Sequence, residues 1–237
     1  MKMTKSPFLK LQNGEILHVG DIKHTTQGEL TIQKFSYGFD IASRTSIINH
    51  LIHKYKLNTY LEIGVRDGKN FDKIVINKKI GIDPYPKKKI NNLYEITSDE
   101  FFNKNKDFFD IIFIDGLHLE YQADKDIKGS LKFLSKDGFI ILHDCNPPTE
   151  FHQRENYEIN GKFPAWNGTV WKSFVKLRMT NSNLMMFCID CDWGVGVIKK
   201  GKSNIYNSSE ELNYSFLTKN RIDLLNLISV NCFINKY

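Results

Sequence analysis

The sequence predicts one α/β domain built on a doubly wound, mostly parallel sheet of seven strands that ends in an antiparallel hairpin. Three observations predict it. From residue 59 onward, short apolar runs alternate with amphipathic stretches, the signature of βαβ units. A chain of 237 residues is long enough for one full core but short for two. Two late apolar runs, "LMMFCID" (184–190) and "GVGVIKK" (194–200), lie too close together for a crossover and must pair as a hairpin.

Taken in chain order, residues 1–42 read as an irregular or partly stranded N-terminal extension rich in Gly and Thr. The domain proper spans 43–200 and a helical segment follows at 201–237. Five strands are expected before the hairpin, at 59–63 (TYLEI), 79–83 (KIGID), 93–97 (LYEIT), 110–115 (DIIFID) and 138–143 (GFIILH). Apolar residues near i, i+3, i+4 spacing predict helices at 43–56, 68–76, 119–134, 167–179 and 209–228. The last of these is amphipathic and packs on the core or on a second copy of the chain. Between His143 and Asn167 the rhythm breaks over more than 20 residues that include three prolines. Long segments of this kind inside compact domains are lids or binding loops when ordered, so 145–166 reads as a substrate-covering loop, with a disordered insertion as the other reading.

Composition narrows the function classes. The net charge of +6 comes from scattered lysines, with clusters only at "PKKK" (86–89) and "KKGK" (199–202), too sparse for a nucleic-acid surface. No apolar run reaches the roughly 18 residues of a membrane helix, and the first residues lack the apolar core of a signal peptide, so a cytoplasmic protein is expected. Four cysteines suit a reducing compartment. Cys188 and Cys191 have no second C-x-x-C and lie on a predicted edge strand, so they read as packing residues.

The stretch "YLEIGVRDGKNF" (60–71) is an apolar strand running into a carboxylate and a glycine-bearing turn. A dinucleotide loop would need glycine where Glu62 and Asp67 stand. An acid at the strand tip repels a pyrophosphate but attracts a cationic amine. S-adenosylmethionine carries an ammonium and a sulfonium and no phosphate, and Glu62, Gly64, Val65, Arg66 and Gly68 would form the turn beneath it. Asp83, 21 residues beyond Glu62 at the next strand tip, is placed to accept both ribose hydroxyls. Ser98 and Asp99 either bond the adenine edge or form the N-cap and first turn of the following helix.

The series "LEIGVRDG", "GIDPYP", "FDIIFIDGLHLEYQADKDI" and "DGFIILHDCNPP" resembles the class I adenosylmethionine-dependent methyltransferases, whose fold is Rossmann-like. More closely it is similar to the family-24 group, associated with glycan and natural-product tailoring, with macrolide-sugar O-methyltransferases and cephalosporin-hydroxylase-like proteins among its relatives. The resemblance covers roughly residues 58–200. It implies transfer of a methyl group from adenosylmethionine to a hydroxyl on a sugar, glycan or other polyhydroxylated small molecule. Where metal-using relatives carry adjacent carboxylate or amide ligands, this chain reads His143-Asp144-Cys145-Asn146.

Asp115, His118, His143, Asp144 and Asn146 all follow two parallel strands and should converge. Methyl transfer to a hydroxyl needs positioning plus a base or a metal. His118 is the first candidate base and His143 the second, with Asp115 beside them. Asp115 and Asp144 are hard oxygen donors suited to Mg²⁺ or another divalent cation. As plain structure, the aspartates would cap helices and His143 would point into the core. Trp166 offers a sugar platform, Trp171 and Lys172 follow it, and His152, Arg154 and Glu155 are candidate acceptor contacts. Two other functions remain open on sequence alone, a non-catalytic adenosylmethionine- or nucleoside-binding subunit of a glycan-assembly system, and an NAD-dependent oxidoreductase.

Overall fold

The computed structural model describes residues 42–237 and, before them, the backbone of four short strands. These are β1 (Phe8–Lys10), β2 (Ile16–His18), β3 (Ile22–His24) and β4 (Leu30–Ile32), paired as two antiparallel hairpins. The rest of the predicted extension lies outside the described residues.

The domain begins with α1 (Arg44–Tyr55), whose N-cap Ser43 exchanges hydrogen bonds with Ser46 in a capping box. Then follow β5 (Thr59–Ile63), β6 (Lys78–Ile82), β7 (Leu93–Tyr94), α2 (Ser98–Lys104), β8 (Phe109–Ile114), α3 (Glu120–Phe133) and β9 (Leu134–Leu142). After the long loop come α4 (Val170–Thr180), β10 (Leu184–Ile189), β11 (Val195–Lys200), α5 (Tyr214–Leu225), β12 (Leu227–Ile228) and α6 (Val230–Lys236).

The sheet has eight strands in the order β12-β10-β11-β9-β8-β5-β6-β7. Only β11 runs against its neighbours; β5, β6, β7, β8 and β9 are mutually parallel, and β12 lies parallel to β10. The α/β class and the reversed hairpin are therefore as predicted, and the count rises from seven to eight because the C-terminal segment contributes β12. Alternation along β8 shows how the sheet is covered. Ile112 and Ile114 face one buried layer with Phe133, Trp171, Phe174 and Leu224, while Ile111 and Phe113 face the other with Ile47, Ile48 and Phe233. Helices thus cover both faces.

Three predicted elements differ. The helix expected at 68–76 is reduced to one 3-10 turn at Phe71–Lys73. The β-branched run Ile74-Val75-Ile76 is a poor helix former, and Lys79 reaches back to cap the carbonyls of Phe71 and Ile74 at 2.7 and 3.0 Å. The strand at 93–97 stops at Tyr94, since Thr97 turns to cap α2. The long C-terminal helix is α5 alone, ended by Asn226 in the left-handed conformation, after which β12 joins the sheet.

Candidate active site

The chain runs from β5 to β6 and β7 on one side and returns to β8 and β9 on the other, so the strand order reverses between β5 and β8. In open α/β sheets the ligand crevice lies at the carboxyl ends of such a pair. Here Gly64 (φ +89°) follows β5, and a Cβ on it would stand 2.1 Å from the carbonyl oxygen of Asp115 after β8. Only glycine allows the two tips to pass this closely. Above them lies a cavity of about 930 Å³ whose lining includes Glu62, Asp83, Ser98, Asp115, His118 and Trp166.

At one end of the cavity, Glu62 is 1% exposed and accepts the Tyr60 hydroxyl at 2.5 Å and Asn70 Nδ2 at 2.9 Å. Burial pushes its pKa up to about 8, more than the two hydrogen bonds hold it down. A cation brought beside Glu62 would favour its charged form. Gly64 and Gly68 both have positive φ, Val65 is buried, and Arg66 stands at φ +52°. The backbone N–H of Arg66 donates to Asp83 Oδ2 at 2.6 Å and that of Tyr85 to Oδ1 at 2.7 Å, so Asp83 braces both the glycine turn after β5 and its own turn while lining the cavity.

The N-cap of α2 is Thr97, in a capping box with Glu100, and not Ser98. Ser98 and Asp99 occupy the first turn. The Ser98 hydroxyl donates to buried Asp126 at 2.5 Å, and Asp99 pairs with Lys125 at 2.8 Å, so neither side chain is idle.

At the other end, acids and histidines interlock. Asp115 Oδ1 lies 3.3 Å from His118 Nε2 and 3.3 Å from His143 Nδ1. Asp144 Oδ2 lies 3.2 Å from His118 Nδ1 and 3.1 Å from His143 Nδ1. Asp192, in the turn between β10 and β11, faces His143 Nε2 at 3.5 Å. The Arg44 guanidinium closes the group, with Nη1 at 3.8 Å from Asp115 Oδ2, 3.8 Å from Asp192 Oδ1 and 2.5 Å from His143 Nε2. Burial would lower the His118 pKa, but Asp144 and Asp115 outweigh it and raise the value. Burial would raise the Asp115 carboxyl, yet His143 and Arg44 hold it well below the carboxylate range. His118 thus enters this cluster as a partner of two carboxylates rather than as the freely neutral imidazole a lone histidine would be. His143 belongs to the same cluster and is not a core histidine.

Asp115, His118 and Asp144 each offer a ligand atom within 4.8 Å of the others. Two hard carboxylate oxygens and an imidazole nitrogen at this spacing fit a divalent cation. Asn146 does not join them: it bonds Asp190 at 3.1 Å and accepts from buried Arg221. Cys145 is fully buried, with its thiol pKa pushed up by burial, and has no nucleophilic role.

The 145–166 loop contributes Tyr157, Phe163 and Trp166 to the cavity lining. Arg154 donates to four of its carbonyls, those of Phe151 and Ala165 (2.9 Å each), Pro164 (2.9 Å) and Tyr157 (3.2 Å). It is a clasp, and neither it nor His152 nor Glu155 lines the cavity. Trp166 stacks on His118 and contacts Tyr157, which contacts Phe163. Trp171 is fully buried, while Lys172 lines a separate groove. Cys188 and Cys191 are both buried, and neither is in a disulfide.

Sequence reasoning missed Arg44, Tyr60, Asn70, Asn167 and Asp192. Asn167 is fully buried and donates to Asp144 Oδ1 at 2.7 Å. Its signal was the "WNG" at the end of the long loop. Asn70 had one in the polar end of the first glycine turn, whereas Arg44 and Asp192 meet across 148 positions and left none.

This sheet order, with its crevice at the tips of β5 and β8, is of the class I methyltransferase type that the sequence resemblance implied. Residues 61–145 match the family-24 model described as "Methyltransferase domain". The SAH-bound methyltransferase PaMTH1 of Podospora anserina superposes with a TM-score of 0.54 at 18% identity, covering 68% of this chain and 80% of that one. Cofactor-bound Rv0187 from MTB gives 0.51 at 10% identity, covering 68% and 82%. At these identities the likeness is one of fold. No curated protein matches the sequence.

Proposed function

We propose that the chain transfers the methyl group of S-adenosylmethionine to a hydroxyl of a sugar or related polyhydroxylated small molecule. The observation that carries this reading is the polarity of one cavity. Its β5–β6 end pairs an acid suited to an ammonium with an acid suited to a ribose, and its β8–β9 end gathers carboxylates and imidazoles around the place an acceptor would enter. PaMTH1 was crystallised with SAH, which supports the same cofactor here.

In this reading Glu62, Gly64, Val65, Arg66, Gly68 and Asp83 hold the cofactor, with Ser98 and Asp99 beside the base. His118, backed by Asp115 and Asp144, takes the proton of the acceptor hydroxyl, and His143 holds the two carboxylates in place. Because both carboxylates raise its pKa, His118 is a stronger base than an isolated imidazole once neutral. A divalent cation held by Asp115, Asp144 and His118 would stand in place of the free base and would supply polarisation of the acceptor oxygen. Tyr157, Phe163 and Trp166 give the acceptor end apolar ring faces of the kind that pack on sugar rings.

The test uses methyl-labelled adenosylmethionine with a panel of free and nucleotide-linked hexoses and deoxyhexoses. Label should appear in a base-stable ether product, and His118→Ala should abolish it while adenosylhomocysteine still binds. Binding without transfer to any hydroxyl would leave a cofactor-binding subunit, and tighter binding of NAD would overturn the assignment.

A further inference from the structure

The turn that joins β10 to β11 does not suit the residue at its tip. Over Cys191–Gly194 the Gly194 N–H donates to the Cys191 carbonyl at 2.8 Å, and both central residues, Asp192 and Trp193, have positive φ (44° and 66°). Hairpin turns with both central residues in this region favour Asn-Gly or Asp-Gly. Asp192 fits the first position. An indole at the second is a conformational outlier for a bulky side chain, and hairpin closure gives no reason to hold one there. Outliers of this kind persist where the surrounding structure over-determines them, and they cluster at functional sites.

The surroundings of this turn do hold it. The Asn146 N–H donates to the Trp193 carbonyl at 2.9 Å and the Cys145 N–H to that of Gly194 at 3.0 Å, which fixes the turn against the residues that follow Asp144. Asp192 faces His143 Nε2 at 3.5 Å and accepts the backbone N–H of Arg44 at 2.8 Å. With its backbone held in this way, Trp193 is half-buried and lines the cavity. The turn thus ties Trp193 to the His143 side of the cluster, as the stack ties Trp166 to His118. The Trp193 ring also meets His152 of the long loop, with centroids 5.3 Å apart.

We propose that Trp193 is a specificity-determining residue for the acceptor, its indole presenting an apolar plane to the C–H face of a pyranose ring at the β8–β9 end of the cavity. This rests on the methyl-transfer reading and narrows its acceptor to a cyclic sugar. A pyranose carries C–H groups on its faces and hydroxyls around its edge, so an aromatic plane against a face leaves the edge free to meet the His118 cluster. An open-chain polyol has the hydroxyls without the face.

The experiment is saturation-transfer NMR on the full chain loaded with S-adenosylhomocysteine. The probes are methyl α-D-glucopyranoside, methyl α-D-galactopyranoside and methyl α-L-rhamnopyranoside, with sorbitol as the open-chain control. Irradiation of the protein's aromatic protons should pass saturation to the ring C–H protons of at least one pyranoside, and sorbitol should bind tenfold or more weakly. Trp193→Ala should weaken that pyranoside tenfold or more while adenosylhomocysteine affinity stays within twofold, and Trp193→Phe should keep part of the affinity. His152→Ala, which removes the ring's contact with the loop, should leave it unchanged. Pyranoside affinity unmoved by Trp193→Ala overturns the proposal, as does equal binding of sorbitol by wild type. An equal loss in His152→Ala overturns it too, since the indole would then be a seat for the loop. If wild type binds adenosylhomocysteine but none of the pyranosides, the sugar reading of the acceptor fails and carries this proposal with it.

Discussion

The indole of Trp166 lies almost parallel to the imidazole of His118, with ring centroids 5.0 Å apart and planes 18° apart. The loop that covers the cavity and the proposed base therefore share one stack. An aromatic pair of this kind contributes about 1 kcal/mol beyond its buried area. Trp166→Ala should lower kcat by about tenfold, as the imidazole loses its fixed plane, while adenosylhomocysteine binding stays unchanged. Trp166→Phe should recover most of the rate. Equal rates in wild type and the alanine variant would show that the stack is incidental.

Gly168 makes a sharper steric demand. It has φ +63°, and a Cβ there would stand 1.8 Å from the carbonyl oxygen of His118. Gly168→Ala must move either the loop end or the β8 tip, at a cost of about 2–3 kcal/mol. For a chain of this size that is a fall in Tm of roughly 5–10 °C. Differential scanning calorimetry would read it, and an unchanged Tm would contradict the packing described.

Glu62 sets a pH dependence whose sign follows from its raised pKa of about 8. Between the ordinary glutamate value of 4.5 and about 8, the folded chain holds a proton that the unfolded chain has released. This contribution to stability is complete below the lower value, declines as pH rises through the window, and is gone above it. Binding of an ammonium reverses the preference, so cofactor affinity should climb toward pH 8 with release of one proton. Titrations in buffers of different ionisation enthalpy would count that proton. Glu62→Gln should flatten both profiles, and a pH-independent wild type would refute the assignment.

The cation question has a readout independent of turnover. Mn²⁺ or Mg²⁺ should raise the Tm of the wild-type protein and leave Asp115→Asn and Asp144→Asn unmoved, since each removes one hard ligand. No shift in wild type would leave proton transfer to the aspartate-flanked histidine alone.

Much of this was legible in the sequence because it is local. The strand tips bearing Glu62, Asp83, Asp115 and His143 are marked by apolar runs that end in a polar residue, and parallel pairing then brings them to one edge whatever lies between. The hairpin was legible from spacing alone. The failures were also physical. Residues 68–76 carry the polar and apolar spacing of a helix but the β-branched side chains of an extended segment, and Lys79, from the following strand, decided the outcome. The cluster partners Arg44 and Asp192 come from a helix start and a hairpin turn, where sequence reports the turn and not what the turn meets. The charge state of Glu62 could not be read at all, because it depends on burial in the fold set against hydrogen bonds from Tyr60 and Asn70.

The placement of β12 bears on how the molecule is made. Leu227 and Ile228 pair with the outer side of β10, close to the C-terminal end of the chain. Every other strand of the sheet precedes β12 in the chain and leaves the ribosome before it. The nascent sheet therefore waits with the outer side of β10 unpaired, ready to pair with another chain, until residues 227–228 have been made. Loss of the final turns should be felt first as poor yield and clumping in the cell, ahead of any change in catalysis.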